Sequence, residues 1–293
     1  MQLDKTRITI RERGVLEIYD LALRVLQGHG GSIFGYWLLG VAPFALFNFW
    51  LLRPYWSPPT GDDTVLQGDY YWVLSLLMLW QFPFATAPLT LYLGKTLFLE
   101  HPTPGQVMRA LGERAWQLFA VHGLFRGMFL FWPVLVFLAQ GDEAVAVLAG
   151  FWAALGVGIA YFLWPYFNEV LLLEANPLFR KKGRTSTLAR VASLHGHASG
   201  EVFGRSMLAL LFGVLLFGSL WLALAQLHNK AMLATESNQE VMAFYFQLSG
   251  WALSGFFTVV RFLSYLDLRI RIEGWEIELL LKAEGARIAR QLA

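Results

Sequence analysis

The 293-residue chain contains no cysteine. Disulfides, thiolate nucleophiles and cysteine-ligated metals are thereby excluded. Charge is scarce too: Asp, Glu, Lys and Arg make up 15% of the residues, against roughly 25% in an ordinary soluble domain. No Gly-rich phosphate loop, dinucleotide fingerprint or serine nucleophile elbow occurs. The opening residues, Met1 to Gly14, are polar and alternating. They lack the apolar core and cleavage site of a secretory signal, so the first apolar run is expected to direct insertion itself.

What the chain has in quantity is hydrocarbon: 56% of its residues are hydrophobic, including 24 Phe and 12 Trp. A helix crossing a bilayer needs about 20 consecutive apolar residues. Six runs meet that need and predict spans over 32–52, 71–97, 115–139, 144–166, 203–227 and 242–264. The fold class expected is an all-α polytopic membrane protein, a six-transmembrane-helix bundle with cytoplasmic amphipathic helices. Its parts would be a cytoplasmic N-terminal amphipathic segment (1–31), the six-helix transmembrane domain (32–267) and a cytoplasmic amphipathic tail (268–293).

The positions of the charges orient this bundle. Of 23 Lys and Arg residues, 20 fall in four segments that alternate with the other connections. Arg53 and Lys230 lie in those other connections, and Arg126 is embedded in an apolar run. The positive-inside rule then puts both termini in the cytoplasm. The outer connections lean acidic, with Asp62, Asp63, Asp142, Glu143 and Glu236. Trp50, Tyr55, Trp56 and Tyr70–Trp72 crowd the first of them as interfacial anchors.

The inner segments read as amphipathic. From Arg11 to Gln27, Leu16, Tyr19, Leu23 and Leu26 recur at helical spacing, Asp20 and Arg24 form an i,i+4 pair, and Gly28-His29-Gly30-Gly31-Ser32 breaks the helix. Thr103-Pro104-Gly105-Gln106 carries an N-cap, a proline at the first helical position and a capping-box partner. Thr185 or Ser186 caps a helix with Leu188, Val191 and Leu194 on one face. Lys181, Lys182, Arg184 and Arg190, with Arg269 and Arg271, are expected to form a surface for anionic headgroups or protein partners. Leu268, Ile270 and Ile272 alternate with charges like a strand, as do Thr6 to Ile10; an amphipathic helix leaving the membrane is the other reading. Spans two–three and four–five share a faint pattern (Leu99-Glu100…Pro102 and Leu173-Glu174…Pro177), as a parallel repeat would.

Arg126 is the sharpest candidate for function. A charge at mid-depth costs at least about 2.5–3.5 kcal/mol unless paired or hydrated; the alternative is that it snorkels to the headgroups. His122 lies one turn earlier on the same face. Asn168 and Glu169 follow Pro165, which bends that span inward. The expectation is an intramembrane polar cluster pairing Arg126 with Glu169, joined by Gln81 or Thr86. Pro83 and Pro88 distort span two, as a simple kink in preference to a broken, site-lining helix. His195-Gly196-His197 falls short of a zinc site. No catalytic residue, metal or cofactor is expected, and the arginines lack the base-stacking platform of a nucleic-acid binder.

Glu174, the basic helix Arg184-Thr-Ser-Thr-Leu-Ala-Arg190 and the closing Tyr265-Leu-Asp-Leu-Arg269…Glu273-Gly274 together resemble a broad group of bacterial six-span proteins. That group is similar to the membrane domain of glycerophosphoryl diester phosphodiesterases and to the YciC-like inner-membrane family. In such phosphodiesterases a separate soluble barrel performs the catalysis, so no catalytic residue carries over. Leu3-Asp4-Lys5-Thr6-Arg7-Ile8 also looks like membrane proteins that accompany MoxR-type ATPases. The leading expectation is a non-enzymatic inner-membrane subunit or scaffold. Its cytoplasmic face would dock other membrane proteins or a MoxR-type ATPase-linked assembly. The alternative is a transporter or permease subunit with a polar seam around Arg126 and Glu169. Tags fused to the two termini should both be protected in sealed right-side-out vesicles; tags on opposite faces would refute the orientation.

Overall fold

The computed structural model describes residues 13–52, 66–97, 102–138, 143–158, 161, 164–179, 185–232 and 239–273. All regular structure among them is helical. In chain order the elements are α1 (Val15–Leu51), α2 (Leu66–Ala85), α3 (Ala87–Leu97), α4 (Pro104–Leu118), a π-helical turn (Phe119–Phe125), α5 (Arg126–Leu138), α6 (Glu143–Gly158), α7 (Phe167–Leu173), α8 (Thr187–His197), α9 (Ser199–Ala231) and α10 (Gln239–Glu273).

Local chemistry sets several of these ends. Gln106 N donates to Thr103 Oγ1 and Thr103 N to Gln106 Oε1, at 3.4 and 3.0 Å, so the predicted capping box opens α4. Of the two candidates for α8, Ser186 is the cap, accepting from Ala189 N. The glycine-rich stretch breaks α1 as expected, in a kink: His29 is non-helical, at φ −130°, ψ 20°, between two helical segments. The buried stripe of that segment is Ile18 and Ala22, while Leu16 and Leu23 face outward. Across Pro83 and Pro88 the bonds Thr86 N to Phe82 O and Thr90 N to Thr86 O survive at 3.0 Å each. Span two is therefore kinked and not unwound.

Two expectations need correction. The run 144–166 is not helical to its end: α6 covers Glu143–Gly158 and Tyr161 is π-helical, but Trp164 to Tyr166 are non-helical before α7 begins. Pro165 has no N–H to donate and disfavours helix in the residue before it. The alternation at Leu268, Ile270 and Ile272 is not a strand, because α10 continues to Glu273. The helical spacing sets Asp267 against Arg271 and Arg269 against Glu273 as i,i+4 ion pairs, each at 2.7 Å. The boundary drawn at 267/268 thus falls inside α10, and Thr6 to Ile10 lie outside the described residues.

Among the described residues, five rods are long and apolar enough to cross a membrane: Val15–Leu51, Tyr70–Leu97, Pro104–Leu135, Ser199–Ala231 and Val241–Glu273. α6, with 16 residues, is shorter. α1 packs against α10, α3 and α2; α2 packs against α5, α5 against α6, and α9 against α10. One buried cluster gathers Ile18, Tyr92, Leu171 and Tyr265, and a second gathers Val41, Leu74, Leu130 and Trp251. The outer faces are also apolar. The most apolar 18-residue window of α9 has none of its residues buried in the protein, an arrangement that water penalises and lipid does not. The architecture is consistent with a multi-pass membrane protein.

α1 and α2 cross at a point that tolerates no side chain. A Cβ on Gly40 would sit 2.0 Å from the Ala85 carbonyl oxygen and 3.1 Å from the Pro88 ring, the small-residue contact by which membrane helices approach closely. Gly40→Ala should lower the thermal midpoint in detergent, by an overpacking cost of about 1–3 kcal/mol. Gly35→Ala, where an added Cβ meets nothing within 4 Å, should leave the midpoint unchanged; equal midpoints for the two variants would contradict the crossing.

Candidate functional site

Proline creates the place that Arg126 fills. Pro83 has no N–H for the Leu79 carbonyl one turn back, and Arg126 Nη2 donates to that oxygen at 2.7 Å. The same nitrogen donates to the Tyr161 hydroxyl at 2.5 Å, with the guanidinium 4.6 Å from the centre of the Tyr161 ring. The π-helical turn aims the side chain. The Arg126 N–H reaches Val121 O, five residues back, and the His122 carbonyl accepts the Trp80 indole N–H at 3.0 Å. Arg126 is therefore buried, held by neutral oxygens and an aromatic face; it does not snorkel.

Glu169 is fully buried too, but its cation is not Arg126. Arg261 Nε of α10 donates to Glu169 Oε1 at 2.5 Å. The expected Arg126–Glu169 pair is replaced by two separate solutions, because α5 turns Arg126 toward α2 and Tyr161 while α7 turns Glu169 toward α10. Gln81 joins neither. It exchanges two hydrogen bonds with Asn48, at 2.8 and 2.9 Å, as a buried amide pair between α1 and α2. Asn168 Nδ2 donates to Pro83 O at 3.3 Å, and Thr86 Oγ1 donates to Phe82 O at 2.7 Å. His122 is held edge-on by Phe84 and Phe167. Four buried atoms of this group have no hydrogen-bond partner: His122 Nε2, Arg126 Nε, Asn168 Oδ1 and Glu169 Oε2.

A second polar layer lies further along α10. Arg205 Nη2 donates to Asp267 at 2.5 Å and to Glu201 at 2.6 Å, while its Nη1 reaches Ser264 Oγ at 2.9 Å. Arg271 shares both carboxylates, at 2.7 and 2.8 Å. Beside it, Glu174 binds Arg190 at 2.7 Å and the Tyr265 hydroxyl at 2.7 Å, and Glu273 binds Arg190 and Arg269. Arg190, Arg269 and Arg271, expected on a headgroup or partner surface, are thus spent on internal carboxylates. Lys181, Lys182 and Arg184 lie outside the described residues. His195 Nδ1 donates to Val191 O at 2.7 Å and the ring stacks on Tyr166. Burial pushes its imidazole below the ordinary value, against the opposing pull of that carbonyl.

Between these layers is a cavity of about 520 Å³. Tyr161, Thr86 and Arg261 line it on one side, and Tyr166, Arg205 and Ser264 at one end. The remaining wall is largely apolar, from Met78, Leu210, Val214, Phe217, Phe246 and Leu253. Of the six residues expected to form the intramembrane cluster, Thr86 alone faces the cavity. Arg126 and Glu169 stand one layer behind, holding Tyr161 and Arg261, which do. The sequence offered one signal for Arg261 and Arg205: both fall inside predicted spans, at 242–264 and 203–227.

No protein-family model, curated protein or solved structure matches this chain.

Removing one member of a buried pair leaves the other charge without compensation, at about 3–5 kcal/mol. Glu169→Gln and Arg261→Gln should each reduce the yield of folded protein on size exclusion. The charge swap Glu169→Arg/Arg261→Glu should recover part of it, and Glu169→Arg/Arg126→Glu should recover none. Rescue by the second swap would overturn the pairing described here.

Proposed function

We propose that this chain is a six-span protein of the bacterial inner membrane, with both termini cytoplasmic, that acts as a transporter or permease subunit. The observation that carries the reading is the cavity of about 520 Å³ whose apolar wall is interrupted by Arg205, Arg261, Tyr161 and Thr258. Charged side chains at membrane depth face ligand paths or water-filled hollows as a rule. The non-helical residues Trp164 to Tyr166, just before α7, support the same reading, since broken helices line substrate sites in transporters. On this view α6 and α7 together make the fourth crossing, and the work done is binding and passage without bond-making.

A lipid-tight interior would have suited a pure scaffold better. That second reading keeps one observation in its favour: the unburied apolar stretch of α9 suits a partner helix. Its partners would be other membrane proteins or a MoxR-type ATPase-linked assembly. Kinship with the phosphodiesterase membrane domains and the YciC-like family is proposed on Glu174, Arg190, Tyr265, Arg269 and Glu273.

The cysteine-free chain makes the test direct. Thr258→Cys, on the cavity wall, should react with a water-soluble thiol reagent about tenfold faster than Leu130→Cys in the dry cluster, as a hydrated seam requires. Equal inertness of the two would return the chain to the scaffold reading.

A further inference from the structure

The charges on the cavity wall are cancelled from behind it. Arg205 and Arg261 are the cations of the lining, and no Asp or Glu lines it among the described residues. Asp267 and Glu201 accept from Arg205 at 2.5 and 2.6 Å, and Arg271 completes that group as two cations against two carboxylates. Glu169 accepts from Arg261 at 2.5 Å, one against one. The donors left without a partner, Arg261 Nη2 and the Tyr19 hydroxyl, are buried and present no surface to the hollow.

This balance selects against ions of either sign. An anion drawn to Arg205 or Arg261 would compete with carboxylates already seated there, and a displaced buried carboxylate is left stranded. A cation would give up its water with no carboxylate on the wall to replace it. Arg126, which meets no carboxylate among the described residues, adds repulsion from behind Tyr161. The cavity therefore suits an uncharged occupant.

The hydroxyls of the wall specify its polar part. Ser206 Oγ donates to Val202 O at 2.9 Å and Thr258 Oγ1 to Ser254 O at 2.6 Å. Ser254 Oγ donates to Trp251 O at 2.6 Å and Thr86 Oγ1 to Phe82 O at 2.7 Å. Each sends its single proton back to a carbonyl three or four residues earlier. A hydroxyl oxygen keeps two lone pairs besides that proton, so these four groups offer acceptors. Ser206 and Ser254 are the half-buried members, with side-chain surface to spare. Around them stand Met78, Leu210, Val214, Phe217, Phe246 and Leu253. A hollow of about 520 Å³ falls within the roughly 300–1,000 Å³ of small-molecule sites.

We propose that the cavity binds a neutral molecule with an apolar body and one or more hydroxyl or N–H donors, which the oxygens of Ser206 and Ser254 accept. This deepens the transporter reading and rests on it. The test uses the full chain carrying Ala209→Cys, a position on the cavity wall, in polymer-bounded nanodiscs at pH 7. The rate of its reaction with a thiol reagent is followed against four probes of similar length: 1-octanol, octanoate, octylammonium and methyl heptyl ether. 1-Octanol should slow the reaction saturably, and the two ions should not. The ether, which cannot donate, should need about fivefold more for the same effect, as loss of one hydrogen bond implies. Ser206→Ala/Ser254→Ala should bring 1-octanol down to the level of the ether; if that pair does not fold, Ser206→Ala alone should move it in the same direction. Protection by an ion equal to that by 1-octanol, equal potency of alcohol and ether, protection by none of the four, or an undiminished alcohol effect in the folded alanine variant would overturn the proposal. Any of these with Thr258→Cys still reactive sinks the neutral donor and leaves the transporter reading standing; an inert Thr258→Cys sinks both.

Discussion

A carboxylate in hydrocarbon is tolerated when a cation meets it, and α10 arranges those meetings at three levels. Arg261 takes Glu169 of α7. Asp267 takes Arg205 of α9 and, one turn on, Arg271 of α10 itself. Glu273 and Arg269 close a ring with Arg190 and Glu174. Because the three levels tie α10 to α7, α9 and α8, sliding or rotating this helix by one residue would strand several charges together. Apolar packing in lipid has little power to choose among helix positions. The ion pairs supply the choice, and the remaining helices are placed relative to them.

This dependence also accounts for the character of the cavity. Charges behind the wall are neutralised in pairs, except Arg126, which rests on a carbonyl and a phenol. What reaches the hollow is the unused remainder: a guanidinium edge, a few hydroxyls and apolar side chains.

Much of the scaffold was legible from local patterns. The capping box at Thr103–Gln106 and the Ser186 cap are chemistry over three residues, and they stand where the sequence puts them. Arg126 declared itself by being alone in an apolar run. Its partners did not, because one is a backbone carbonyl released by Pro83 and the other, Tyr161, lies beyond the end of α6. Arg261 and Arg205 were counted with the cytoplasmic charges although both fall inside apolar runs, so the true partners of Glu169 and Asp267 were hidden by the rule that oriented the bundle. Asn48 and Gln81, 33 residues apart, left no trace of their pairing. Three alternating apolar residues at Leu268–Ile272 were too few to distinguish strand from helix, and the i,i+4 charges around them decided for helix.

The π-helical turn has a consequence for how this site can change over generations. It holds one residue more than an α-helix of the same rise would use, so the surplus is absorbed inside the turn. Loss of a single codon in regular α-helix turns everything downstream by about 100°, one residue's share of a 3.6-residue turn. Between Phe119 and Phe125 the same loss would let the turn close as ordinary α-helix, and Arg126 would keep its carbonyl and phenol. The buried cation thus follows the one stretch of its rod where the genetic text can shorten by a residue without re-aiming it.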